Sequence, residues 1–394
     1  MTADPQEETF DTAFGTVRVA TRAGAFDPAA WQATFGGTAK DFRYYALCET
    51  TLRQANFDYR YLLLTDRAGK IRALQPLFFT DQDLTAGLGE RPRRVVTSVR
   101  GKFPSFATMK MLMVGCTAGE GGLGVADPGD AEAVAALLEA LEIYGRRHRA
   151  AIITFKDFPR GYRTALDGPA RARGFVRMPS FPATVIPLNE YQDFDDYLAR
   201  RLSHSMRKNL RRKFRPVPGQ APVTMEVRTD IADIVDEVHQ LYLQVLSRSA
   251  FRFEELTKEY LVGLGRTLPE QTRFFVWRRE GKAVAFSIAA VHDGKFYDNY
   301  LGLDYAVALD LHLYFVTIRD LMVWAFSQGL RTYYSTPLNY DPKLHLRFDL
   351  EPLDLYVRHL NPVFNPFFKR IAPLLEPTRY DKTLRRFGNY ADLA

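Results

Sequence analysis

The sequence predicts a mixed α/β protein of the α+β kind, built as two tandem units, each a mostly antiparallel mixed sheet flanked by helices. Three observations carry this reading. Two hairpins of like texture stand far apart, YLLLTDRAGKIRALQPLFF from Tyr61 and FFVWRREGKAVAFSIAAVH from Phe274. Each reads as apolar strand, basic turn, Gly-Lys and a second apolar strand. In each half a later helix then feeds a short buried strand, AIITF after Asp130 to Arg147 and TYYST after Leu311 to Gln328. Recurrence of one supersecondary order at a long interval is the mark of an internal duplication.

In chain order, the first ten residues read as disordered. Lys40 to Ala55 reads as a helix, and Tyr59 to Thr65 with Ile71 to Phe79 as the first hairpin, turned at Asp66 to Gly69. The run Glu90 to Met113 has no clear period. GCTAGEGGLG, from Gly115 to Gly124, reads as a flexible loop; it lacks the Gly-Lys-Ser/Thr of a phosphate-binding P-loop. In the second half, Ile231 to Ser247 and Phe253 to Leu264 read as helices, followed by three strands across Phe274 to Asp304. These periods divide the chain into units at 1–190 and 191–360, with a basic aromatic tail at 361–394.

Bulk numbers set the class. With 394 residues, 46% apolar and 25% charged, the chain is long enough for two buried cores. Two cysteines, Cys48 and Cys116, make no disulfide framework and suggest a reducing compartment. The acidic start MTADPQEETFD does not read as a signal peptide, and no run of about 20 apolar residues appears. The expectation is a cytoplasmic protein whose membrane contact, where it has one, is peripheral on the inner face. No Cys/His cluster suggests a metal site.

The formal net charge of +7 is concentrated. RRLSHSMRKNLRRKFR, Arg200 to Arg215, holds eight Arg or Lys residues and no acid, with Leu198, Leu202, Met206, Leu210 and Phe214 recurring every four residues. A helix of that pattern docks by its apolar stripe and presents a positive field. It suits a polyanion: a phosphate-bearing co-substrate, an acidic membrane surface or tRNA. Arg207 and Arg211 are the chosen anion contacts, since the guanidinium fork fits phosphate, with Lys208 beside them. The tail interleaves Phe364, Phe367, Phe368, Ile371, Leu374 and Leu375 with Lys and Arg. That pattern fits either an acidic membrane surface or a strap across the body.

The order helix, antiparallel meander, helix, strand resembles the GNAT acyltransferase fold. Two units with a basic lead-in, FDDYLARRLSHSMRKNLRRKFR, resemble its FemAB-like branch. YLGLDYAVALDLHLYFVTIRDLMVWAFSQGLRTYYST is similar to that branch's strand, loop, helix and strand, and NYDPKLHLRF resembles the Lys-Leu-x-Arg-x-Phe ending of its bacterial relatives. The loop from Asp304 to His312 departs from the usual glycine-bearing GNAT pyrophosphate loop. The resemblance implies an amide-forming acyltransferase with no permanently bound cofactor, acyl-CoA as co-substrate, splayed strands that hold the donor, and a lipidic amine as acceptor. The texture is further similar to bacterial ceramide synthases, which implies a sphingoid base such as 3-oxosphinganine. An aminoacyl-tRNA-dependent transferase and a non-enzymatic membrane or nucleic-acid binding module stay open as alternatives.

Site candidates follow. His312, placed by the resemblance at a helix start, is the expected general base, with Asp304 at the end of the preceding strand as its companion. Asn339, Tyr340 and Lys343 are the expected substrate contacts, with His345 close by. Turn formation is the plainer account of Asn339. The sequence leaves the oligomeric state open.

Overall fold

The computed structural model describes residues 7–52, 57–83, 108–215, 219, 221–249, 252–374 and 376–394. These pack as two units. The first draws on the segments Met1–Gly36, Arg53–Ser180 and Asp354–Glu376. The second draws on Gly37–Leu52, Phe181–Leu353 and Pro377–Ala394.

The first unit carries strands β1 (Glu8–Asp11), β2 (Gly15–Ala20), β3 (Asp58–Asp66), β4 (Ile71–Asp83), β5 (Thr108–Val114), β6 (Ile152–Pro159) and β7 (Val176–Pro179). The second carries β8 (Ala183–Pro187), β9 (Thr224–Arg228), β10 (Thr272–Arg279), β11 (Lys282–His292), β12 (Lys295–Leu303), β13 (Thr332–Ser335) and β14 (Asp349–Glu351). The last strand, β15 (Leu353–His359), returns to the first sheet. Sheet orders are β1-β2-β3-β4-β5-β6-β15-β7 and β14-β8-β13-β12-β11-β10-β9.

The duplication is plain in these orders. β2 to β6 and β9 to β13 share one plan: three antiparallel pairings, then one parallel pairing after a crossover helix. The crossover helices are Ala131–Arg147 and Leu313–Ser327. Each repeat's final strand lies in the other sheet. β8, which follows β7, pairs with β13 and β14, while β15, which follows β14, pairs with β7. Chain order alone therefore does not delimit the units.

Helix starts follow their caps. Asp130 accepts from the Ala133 amide, and Val134, Leu137, Leu138 and Leu141 behind it bury one face in the first core. Thr257 accepts from the Tyr260 amide, which moves the start of that helix to Lys258, later than the periodicity from Phe253 suggests. Three expectations change. Glu8–Asp11 is a strand, not disorder, because it pairs along β2 and buries Phe10. The glycine-rich loop is pinned, not loose. Gln75 donates to the Gly122 carbonyl at 3.1 Å and accepts from the Gly124 amide at 2.9 Å. Gly121 passes where a Cβ would stand 2.4 Å from the Phe158 ring. The expected single basic helix is two helices, Phe194–Arg201 and His204–Lys213. Leu202 is extended and Ser203 caps the second helix through the Met206 amide. A side-chain cap competing with the helical ladder makes that break. The apolar stripe still docks: Leu198, Leu202 and Leu210 are buried, with Met206 and Phe214 against the same core.

Residues 90–107 of the unread run lie outside the described residues. The tail divides. Leu384, Phe387 and Leu393 are buried in the second core, and Asn389 bonds both the amide and the carbonyl of Leu350, at 3.0 and 2.9 Å. This part is a strap. Phe364 and Phe367 stay exposed.

One glycine fixes how β12 is covered. The helix Val235–Arg248 lies over β12 at Gly302, where a Cβ would stand 2.1 Å from Phe286 Cε1 and 2.8 Å from the Leu241 carbonyl carbon. Gly302→Ala is expected to cost about 1–3 kcal/mol by overpacking, read as a lowered urea midpoint.

Candidate active site

β12 and β13 are paired only from Lys295↔Thr332 to Asp298↔Ser335. Beyond that point β13 ends, while β12 runs on to Leu303 beside β11. The two strands part, and Thr336 ties the base of the fork. Its amide donates to the Asp298 carbonyl at 3.2 Å and its hydroxyl to the Asn299 carbonyl at 2.9 Å. A bulge falls at the same place: Ala289 faces Asp298 and Ile288 faces Tyr300, so Asn299 is the extra residue. A bulge leaves its extra residue outside the ladder and bends the strand, which opens the fork.

Asp298 is the acid at this base. Its carboxylate accepts from Ser287 Oγ at 2.7 Å and from the Tyr333 hydroxyl at 2.8 Å. Burial pushes its carboxyl above the usual range, and the Ser287 and Tyr333 hydrogen bonds and the Lys343 charge offset this only in part. Lys343 is 3% exposed, and its ammonium donates to the Thr336 carbonyl. Burial lowers that ammonium to about 8, against the opposing pull of Asp298. Tyr314 and Tyr333 have their phenols raised by burial first and by the Asp298 charge second, so both belong to one cluster. The helix Tyr340–His345 carries Lys343, and the turn before it is strained. Leu338 and Asn339 take φ of 75° and 51° in succession. For a leucine this is a costly conformation that only surrounding structure sustains.

A second cluster lies at the start of the crossover helix Leu313–Ser327. His312 caps it in a left-handed conformation and is exposed. Lys213, at the end of the basic helix, sits with its ammonium 3.4 Å from the centre of the Phe315 ring, and the Arg319 guanidinium lies 5.0 Å from the centre of the Phe214 ring. Partial burial, then Lys213, then Arg212, lower the His312 imidazolium below its ordinary value. Cations gathered at this helix start suit a phosphate.

The other expected residues divide between open and committed positions. Asp304 is buried. Burial pushes its carboxyl up, but the Lys282 ammonium at 2.9 Å and the Ala306 amide at 3.1 Å hold it below the usual range. It organises its loop and is not hydrogen-bonded to His312. Arg207 bonds the carbonyls of Ala199 and Leu202, at 2.7 and 3.0 Å, and so joins the two helices across their break. Lys208 and Arg211 are exposed. Tyr340 is buried, with its hydroxyl donating to the Pro182 carbonyl at 2.8 Å, whereas Asn339 is exposed. His345 is held by Asp341, 2.7 Å from its carbonyl. Only Lys343, of the residues singled out, stands at the fork. Asp298, Ser287, Tyr333 and Tyr314 were missed. The signal for Asp298 was available: an acid in the middle of the strand FYDNYLGL, where a charge is rare unless satisfied. Among the described residues no group of three or more His, Cys, Asp or Glu could hold a metal ion.

The acetyltransferase (GNAT) domain family matches residues 204–343, which contain both clusters. The whole-chain fold is similar to that of FemX, at TM-score 0.54 and 12% identity, covering 92% of this chain and 99% of that one. It is similar to L-PGS from Bacillus licheniformis, at TM-score 0.50 and 12% identity, covering 90% and 98%. It is also similar to the C-terminal domain (DUF2156) assigned to a lysylphosphatidylglycerol synthetase from Agrobacterium fabrum, at TM-score 0.50 and 14% identity, covering 89% and 97%. No curated protein matches the sequence. The chain carries a GNAT-fold acyltransferase domain, and the protein is an acyl-transferring enzyme. No helix among the described residues is long and apolar enough to cross a membrane.

Proposed function

We propose that the second unit transfers an acyl group from acyl-CoA to the primary amine of a lipidic acceptor, forming an amide. The observation that carries the reading is the fork between β12 and β13, with Asp298 at its base and the His312 cluster at the start of the helix that follows. His312, Lys213 and the exposed Lys208 and Arg211 receive the donor's phosphates. The thioester lies along the parted edge of β12, where backbone amides polarise its carbonyl. Asp298 takes the proton that the attacking amine loses. The C–N bond forms, the C–S bond breaks, and the proton passes to the departing thiolate. A carboxylate with a raised pKa is the better base for this task. Ser287 and Tyr333 position that carboxylate and the Lys343 charge tunes it, while Asn339 is open to an acceptor head group. In this assignment His312 serves donor binding, since two cations beside it favour an anion.

The acceptor is proposed to be a sphingoid base such as 3-oxosphinganine, giving a 3-oxoceramide. The electron-withdrawing ketone beside its amine lowers the amine's basicity and eases deprotonation. The fold shared with the domain assigned to a lysylphosphatidylglycerol synthetase supports a lipid as acceptor. That domain and L-PGS, with FemX, favour a second reading: an aminoacyl group delivered on tRNA, whose backbone the basic helix also fits.

Purified protein offered palmitoyl-CoA with 3-oxosphinganine, and separately an aminoacyl-tRNA mixture with phosphatidylglycerol, tests both readings by mass spectrometry. The expected result is an amide-linked product and free CoA thiol in the first mixture only. Product in the second mixture alone establishes the tRNA-dependent reading, and product in neither removes both.

A further inference from the structure

We infer that the segment from Val363 to Leu374 docks the protein on an anionic lipid surface. This goes beyond the acyl-transfer reading and does not rest on it, because it concerns a surface of the first unit.

Four of the seven exposed large apolar side chains among the described residues fall in this one segment: Val363 at 79%, Phe364 at 57%, Phe367 at 62% and Leu374 at 50%. Scattered exposed apolar residues need no explanation, but a contiguous group does. The segment is not loosely attached. Its helix, Asn365–Ile371, is anchored by Asn365, whose side chain donates to the Gly174 carbonyl at 3.0 Å and accepts from the His359 amide at 3.1 Å. Phe364 and Phe368 both set their rings beside His359, at 5.8 and 6.0 Å, and Phe368 is half-buried. Phe364 and Phe367 nonetheless stay more than half exposed on this fixed support.

Charge selects the occupant. From His359 to Leu375 the chain contains Lys369 and Arg370 and no acid. Both cations are exposed. A second copy of the chain meeting this face across a two-fold axis brings like charges together, which costs affinity. An anionic lipid surface neutralises them while its acyl boundary accepts the aromatic rings, the pattern of an interfacial helix.

The test is sedimentation of the full chain with vesicles of phosphatidylcholine, and of phosphatidylcholine with phosphatidylglycerol in equal parts. Two double variants are compared, Phe364→Ser with Phe367→Ser, and Lys369→Glu with Arg370→Glu. All four side chains are exposed and belong to neither core, so unchanged thermal melting certifies the fold. The expected result is binding to the anionic vesicles that falls about tenfold or more in the Phe pair and roughly fivefold per charge removed in the basic pair. Equal binding by the parent and both variants, or no sedimentation of the parent at low salt, overturns the inference. So does a lipid-free dimer of the parent that the Phe pair converts to monomer, which assigns the face to self-association. The readout uses no acyl donor or acceptor, so its failure is distinct from failure of the catalytic reading.

Discussion

Asp298→Asn is expected to lower kcat/KM by about a hundred- to ten-thousand-fold, the range for removing a positioned base. The substitution keeps shape and volume, and an amide oxygen still accepts from one of the two hydroxyls that hold this side chain, Ser287 and Tyr333. The fold is therefore retained while the proton acceptor is lost. The pH profile supplies a second, independent readout. Burial raises the Asp298 carboxyl, and the nearby Lys343 charge pulls it back down. Activity requires the carboxylate, so it falls as pH drops through that raised value. Removing the opposing charge with Lys343→Met moves this acid limb to still higher pH, a shift that a merely structural lysine does not produce. A pH-rate profile of both variants, with single-turnover rates, checks the assignment. An Asp298→Asn enzyme within about threefold of the parent sinks it; a loss of rate in His312→Gln with unchanged donor affinity would then make the imidazole the base.

Asp354→Ala is expected to cost about 3–5 kcal/mol of stability, the range for breaking a buried ion pair from one side. Asp354 is 0% exposed and accepts from Arg163 at 2.7 and 3.0 Å and from Arg177 at 3.1 Å. It sits at the start of β15, the strand that reaches the first sheet from the far end of the sequence. Without the carboxylate, Arg163 and Arg177 lose the buried acceptor they share, and among the described residues Arg177 keeps only the longer contact with Asp167, at 3.6 Å, as an acidic partner. Urea unfolding measures the loss, which is expected in the transition that reports the first unit. A cost below about 1 kcal/mol shows that the strand ladder alone holds β15.

Local pattern revealed most of the elements. The two hairpins, the crossover helices and the strands after them all carry a period or a turn signal within a few residues, and the repeat between halves followed from those signals. Three features did not show. The break at Ser203 was hidden because the apolar stripe continues through it with the spacing of one helix. The strand Glu8–Asp11 lacks a period of its own and exists only by pairing with β2. The delayed start at Lys258 depends on the Thr257 cap and not on the apolar spacing before it.

The site was legible to a lesser degree, and for a physical reason. Lys343 stood out by type and neighbourhood, yet nothing local says that it is buried. Its ammonium reaches the cluster because the helix Tyr340–His345 packs back beside the fork. Asp298, Ser287 and Tyr333 come from three different strands and meet only when β11, β12 and β13 lie side by side.

By itself the sequence determined the tandem α/β plan, the acyltransferase resemblance and the position of the positive charge, because each is written in periodicity, order and composition over contiguous residues. Only the tertiary structure decided which strands complete which sheet, where β12 and β13 separate, and which acid stands at that separation. Those outcomes depend on long-range pairing and on burial, which shift a carboxyl or an ammonium only after distant segments have excluded water from around it.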